Sequence, residues 1–384
     1  EEAFDGSTLT PLDFSGSAPP ITPGQFIGVT TFKGRAYYWQ NTGTSFWYAQ
    51  AGGYQGELNE FDIGPVLQLG GNIRMMFTWT LDSGTGPDDM LCIVTDIGEL
   101  ILYQGDDPGN VGFWEQVGRF EMPDPLSIRG QMKYGSDVVI MTKDGYINLS
   151  TVLRDDQVSD YPAFSRRIAR LVFNVGELYA DNYGHECFLS DGGLLVFNVP
   201  QSSIKSIQYV MNSSTGAWAS FSDWNAITFA VFEDDIYFGD VDGFVRKVSG
   251  NNDAGTAIAL TALPAYNYFE DPGQQKHIVA AQILSTHPDP KLIGLTGFSD
   301  FTIPQLSNTA TPPGNPTTGT LWNTELWNTQ LWTSTGGVTA DTTKGWQNVS
   351  AFGYAVTVAV TMQIASQRII WRQTGIEYVP AGAH

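Results

Sequence analysis

FTWTLDSGTGPDDMLCIVTDIGELILYQG, residues 77–105, decides the fold. It reads as a polar loop over 82–89, an apolar run over 90–94, a tight turn TDIG at 95–98 and a second apolar run over 100–103. β-Branched, aromatic and aliphatic residues on both sides of an Asp/Gly turn predict a β-hairpin, because glycine supplies the positive φ that such turns require. The same signature recurs with its turn glycine at Gly43, Gly98, Gly145, Gly193 and Gly243, in steps of 55, 47, 48 and 50 residues. A fixed period of that length, in units this rich in strand formers, predicts the blades of a β-propeller. Six residues before each glycine stand Tyr37, Cys92, Val139, Cys187 and Tyr237; five before it stand Tyr38, Ile93, Ile140, Phe188 and Phe238. All are apolar, aromatic or cysteine, and unrelated hairpins in an ordinary sandwich would not be spaced so evenly.

The 384 residues suffice for two domains, and 42 Gly with 22 Phe, 16 Tyr and 11 Trp suit an all-β protein rich in turns. The expected organisation is a lead-in over 1–25, a propeller of about 48-residue repeats over 26–250, and a second β-domain over 251–384, with one short inserted helix. No run of 18 or more apolar residues occurs, so no membrane-spanning helix is expected. A net charge of −21 argues against a protein that grips nucleic acid, because that affinity comes from Lys and Arg neutralising phosphates. The charge suits a surface that must not adhere to DNA, or simply a soluble exterior. Cys92 and Cys187, the two cysteines, stand at one repeat position two units apart and are expected as free, buried thiols.

One insertion breaks the β pattern. Asp160 and Pro162, followed by Phe164, Ile168, Leu171 and Val172, have helical spacing with a capping Asp and an early Pro. Arg166, Arg167 and Arg170 lie elsewhere on that helix, and with Arg154 they gather four of the 19 cations into 17 residues. Such a patch can dock an acidic neighbour or a phosphate, or be a solvated helix face. The second landmark is LWNTELWNTQLWTST at 321–335, whose five-residue period fits neither helix nor strand. Trp322, Trp327 and Trp332 are candidates for a contact with another subunit or an aromatic platform for a sugar, and equally for burial against their own domain.

Catalytic signatures are missing. The four histidines, His185, His277, His287 and His384, have no metal-ligand spacing, and there is no nucleophile elbow, P-loop or dinucleotide fingerprint. The turns at 142–145 and 190–193 lack the spacing and closing Trp of a sialidase Asp-box. Asp82, Asp88 and Asp89, or Asp240 and Asp242, offer oxygens to Ca²⁺, but turn carboxylates more often cap backbone N–H groups. No cofactor or metal is expected. A propeller glycosidase would need a pair of carboxylates, and nothing among the 40 acidic residues singles one out.

The residues FKGR at 32–35, FWY at 46–48, EFDIG at 60–64, TWTLDSGTGPDD at 78–89 and YQGDDP at 103–108 closely resemble the tail nozzle, or head-to-tail stabilisation, proteins of short-tailed bacteriophages. The likeness continues through KYG at 133–135, YVMN at 209–212, TGAW at 215–218, YFG at 237–239, YNYF at 266–269 and the Leu-Trp repeat. It implies a non-enzymatic virion protein of the phage tail: a β-propeller assembling as a homo-oligomeric ring, a hexamer as a rule, below the portal and adaptor. Tail fibres or spikes would be its other partners, and DNA would pass without specific binding. Relatives are expected to carry further sequence ahead of DGST at 5–8. A ring makes heterologous contacts, for which Arg154, Arg166, Arg167, Arg170, Trp322, Trp327 and Trp332 are the candidates. The alternative is a carbohydrate- or receptor-binding propeller.

Overall fold

The quoted hairpin is the centre of a four-stranded antiparallel sheet, Ile73–Asp82, Pro87–Thr95, Glu99–Gly105 and Trp114–Glu121, each strand paired with the next in sequence. The computed structural model describes the chain except at positions 1, 5–6, 18, 23, 83–86, 155–163, 191, 251, 288–292, 303–340, 344–345, 365–368 and 382–384. Four more sheets repeat the same meander. The first comprises Phe26–Phe32, Arg35–Gln40, Ser45–Tyr48 and Asn59–Asp62, and the third Gln131–Tyr134, Asp137–Met141 and Tyr146–Asn148. The fourth comprises Glu186–Leu189, Leu194–Ser202, Lys205–Asn212 and Trp218–Phe221, and the fifth Ala226–Phe232, Asp235–Asp240 and Val245–Val248. All five lie in one unit, Glu1–Val248, an all-β array of propeller type.

The paired apolar positions before each turn glycine have a physical reason. Successive strand residues point to opposite faces, and a sheet with a neighbour on each side needs both faces apolar. Tyr37 therefore enters the core between the first and second sheets with Phe46, Ile93 and Ile101. Cys92 enters that between the second and third with Met75, Ile140 and Ile147. Val139 lies between the third and fourth with Leu195 and Phe197. Phe238 packs back on the fourth with Phe188 and Phe229. Burying one such side chain contributes about 1.5–3 kcal/mol, against about 0–1 kcal/mol for a surface ion pair, so these cores hold the array together. Both cysteines are free and buried, and burial pushes each thiol pKa up.

Glycine is required at the turn of the second sheet. Gly98 has φ +81° and a Cβ there would lie 1.9 Å from the Met122 carbonyl oxygen, whose own N–H donates to Gly98 O at 2.8 Å.

The fourth sheet is out of phase with the sequence ruler. In the first, second, third and fifth sheets the ruler glycine joins the second strand to the third, whereas Gly193 joins the first to the second. Cys187 thus sits on a first strand and Cys92 on a second. First strands begin at Phe26, Ile73, Gln131, Glu186 and Ala226, so the true steps are 47, 58, 55 and 40 residues. The element inserted between the third and fourth sheets lengthens one step and the tight fourth-to-fifth connection shortens another.

Described residues of the lead-in pack against the first sheet. Phe14, with Leu12 and Ile21, covers Ala36, Tyr38, Trp47 and Leu58, and Ser17 Oγ accepts the Leu58 N–H at 2.9 Å.

The inserted helix differs from expectation in its start and its face. Asp160 and Pro162 fall outside the described residues, and the described part runs from a 3₁₀ turn, Arg166–Ile168, into Ala169–Leu178. Ile168, Val172 and Val175 form the stripe facing the core of the third and fourth sheets, while Leu171, expected on that stripe, is exposed. Spacings of four and three keep that stripe on one side, and Leu171 falls about 100° away from Val172. Gly176 lets the helix approach the third sheet's turn, since a Cβ there would meet Lys143 O at 2.2 Å.

The second unit, Ser249–His384, is also all-β. Lys276–His287 pairs with Ile370–Pro380 on one edge and with Asp341–Thr343 and Trp346–Gly353 on the other. A second sheet, Ile258–Ala262, Val356–Ile364 and Ile293–Ser299, packs against it through Ile278, Ala281, Val349, Val356 and Val358. Trp322, Trp327 and Trp332 lie outside the described residues.

Candidate functional site

The inserted element carries the chain's cation cluster, and its apolar residues explain why it sits where it does. A one-turn helix, Leu149–Val152, buries Leu149 and Val152 in the core of the second and third sheets. Phe164 and Ile168 then join the core of the third and fourth. Between them Ser165, fully buried, accepts the Tyr146 N–H on its Oγ at 3.0 Å and ties the segment to the third sheet. Arg154, Arg166, Arg167 and Arg170 remain exposed on the outside. None of the four makes an ion pair with a described carboxylate, whereas Lys33, Arg35, Arg119, Arg129, Lys143, Arg246 and Lys247 each do.

Arg166 and Arg167 line a cavity of about 440 Å³ with Phe164, Met211, Gly216 and Trp218. Arg167 Nη1 donates to Gly216 O at 2.8 Å, which fixes its guanidinium at the rim. The turn bearing Gly216 is itself braced. Asn212 Oδ1 accepts the N–H groups of Ser214 at 3.0 Å and Thr215 at 3.2 Å, and Gly216 N donates to Asn212 O at 2.8 Å. The Trp218 ring is held edge-on to Phe164, centroids 6.2 Å apart, and tilted on Phe197 at 5.5 Å. Phe197 stacks on Tyr146 at 4.3 Å. The site is thus a preformed hollow with aromatic and thioether walls and two guanidinium groups at its edge, suited to an anion carried on an apolar body.

Of the residues singled out in the sequence, the structure brings Arg166 and Arg167 to this hollow and leaves Arg154 and Arg170 outside its lining. Sequence reasoning missed Trp218, Met211 and Gly216 as site residues. The available signal was TGAW at 215–218, a turn followed at once by a tryptophan.

Other polar groups, buried and half-buried, brace the fold. Asp240 accepts the N–H groups of Asp242 at 3.0 Å and Phe244 at 2.8 Å on Oδ1 and is paired with Arg246, so its oxygens are taken. Asp89 bonds Thr80 at 2.7 Å and Lys33 at 3.1 Å. Glu99 accepts N–H groups from Gln68 at 2.9 Å and Leu69 at 2.8 Å. Glu186 accepts the Phe229 N–H at 2.9 Å and lies 3.9 Å from Arg129, which also bonds Thr228, joining the third, fourth and fifth sheets. Burial raises the Glu186 pKa. His185 is buried, with Nε2 2.7 Å from Tyr179 O, and burial lowers its pKa. Among the described residues no group of three metal-ligating side chains occurs.

No family model matches the chain, and no curated protein matches it. Among solved structures it is similar to the WD40 domain of SCAP from fission yeast, at 8% identity and a TM-score of 0.24, over 65% of this chain and 70% of that one. The strand pairing, rather than that likeness, defines the fold described above.

Proposed function

We propose that this chain is a structural subunit of a short-tailed phage tail, a nozzle or stabilisation protein that assembles as a ring, hexameric on the family pattern, below the portal and adaptor. The observation that carries the reading is the exposed arginine cluster, which makes no ion pair with any described carboxylate, on a body of net charge −21. A cationic face on an acidic protein complements the rest of its own surface, which is what a heterologous, ring-closing contact requires. The excess of acid elsewhere repels phosphate, so DNA can slide through such a conduit without adhering. The motif series from FKGR at 32–35 to the Leu-Trp repeat supports the same reading. On it, the protein is non-enzymatic, resides in the virion, and meets portal, adaptor and fibre or spike proteins.

Light scattering with negative-stain imaging, at low and moderate salt, tests it. Hollow rings of uniform subunit number are expected, and Arg166→Glu with Arg167→Glu should leave folded monomers. A wild-type chain that stays monomeric at every concentration speaks against the ring. One observation favours a second reading, a saccharide-binding propeller: the Trp218 and Phe164 walls of the hollow. Saturable quenching of tryptophan fluorescence by a glycan would favour it.

A further inference from the structure

We propose that the hollow bounded by Arg166, Arg167 and Trp218 receives an Asp or Glu side chain from a second copy of this chain. The inference rests on the ring reading and names the chemistry of its contact. Three observations carry it. The guanidinium of Arg167 is pinned through Nη1 to Gly216 O at 2.8 Å, so its other N–H donors are held in place before a partner arrives. A planar fork held in this way matches a carboxylate in bidentate fashion and loses little entropy on binding. The walls are apolar and braced, with Trp218 held against Phe164 and Phe197 and Met211 also in the lining. A carboxylate entering there with its methylene stem is partly removed from water, where its attraction to Arg exceeds that of an exposed pair.

Charge selects the occupant. The chain has 40 acidic residues against 19 Lys and Arg, so any second copy arrives with a surplus of carboxylates. A nucleic acid would have to approach the whole acidic body to reach one small patch. Each copy carries this hollow on one face and supplies acids elsewhere, so it can both give and receive, as a head-to-tail ring demands.

The experiment uses the full chain. Arg166→Gln, Arg167→Gln and Trp218→Leu are each expected to weaken self-association about tenfold, equivalent to about 1.4 kcal/mol, in sedimentation velocity against concentration. Arg154→Gln and Arg170→Gln, outside the lining, should change it less than about twofold on the same scale. Because Trp218 also packs on Phe197, circular dichroism accompanies each variant, and the exposed Arg166→Gln decides if Trp218→Leu unfolds. In a second arm, Arg166→Lys with Arg167→Lys is coupled by a carbodiimide in rings of mixed ¹⁴N and ¹⁵N copies, and mass spectrometry should find the lysines joined to an Asp or Glu of the other isotope. Rings indifferent to the hollow, equally weakened by Arg154→Gln and Arg170→Gln, or coupled only within one copy, overturn the docking and leave the ring standing. A chain monomeric under all conditions overturns both.

Discussion

The second and fifth sheets share one repeat pattern and have opposite surroundings. In the second, the position six before the turn glycine is Cys92, fully buried, and its neighbour Ile93 is fully buried on the other face. In the fifth, Phe238 is buried while Tyr237 is half-buried under Lys247, whose Nζ lies 5.8 Å from the ring centroid. The second sheet has four strands; the fifth has three, with Val245 of the last strand 77% exposed. An identical local signature therefore specifies a hairpin and leaves its environment to be set by what packs on each side.

Paired substitutions can break or sharpen this contrast. The largest difference is expected at the turn glycines. Gly98→Ala drives a Cβ into Met122 O and should cost roughly 4 kcal/mol or more. Gly243→Ala, at φ +83° with nothing within 4 Å, carries only the left-handed penalty of about 1–2 kcal/mol. Urea unfolding measures both, and equal losses would mean that the two turns are packed alike. Next, Ile93→Ala opens a cavity between the first two sheets and should cost about 2–5 kcal/mol, whereas Tyr237→Ala should cost less than about 1 kcal/mol. A comparable loss at Tyr237 would reveal a neighbour on the fifth sheet's outer face.

The smallest effect concerns the tie between the fourth and fifth sheets. Burial raises the Glu186 pKa in the folded chain. Folded protein then keeps this proton to higher pH than unfolded protein does, so stability from this group falls as pH rises from the ordinary Glu value, about 4.3, through the raised one. Glu186→Gln should flatten that slope in urea midpoints taken across the window. An unchanged slope would remove Glu186 as its source.

Much of the fold was legible because a sheet buried on both faces must place apolar residues at consecutive positions, and that pattern survives in Tyr37-Tyr38, Ile93 beside Cys92, and Val139-Ile140. The fourth sheet's phase was not legible, since a ruler of turn glycines counts turns and cannot tell a first hairpin from a second. Leu171 misled because two helical registers share the same apolar residues, and the packing of Ile168, Val172 and Val175 on the third and fourth sheets, with Gly176 close to Lys143 O, selects one. The arginine cluster could be read from composition. The hollow beside it could not, because it joins residues 164–167 to residues 211–218 across a sheet whose pairing no local pattern announces.

The packing of Leu12, Phe14 and Ile21 on the first sheet gives the array a polarity. Apolar clusters among the described residues of the first unit join only successive sheets, so its apolar cohesion runs through a chain of nearest-neighbour links. One terminus of that chain is sealed by Phe14 and its neighbours, whereas among the described residues of the first unit no equivalent cluster covers the other, at Val245–Val248. Fraying within the first unit should therefore start at the fifth sheet and travel toward the first, like a zipper with a stop at one end.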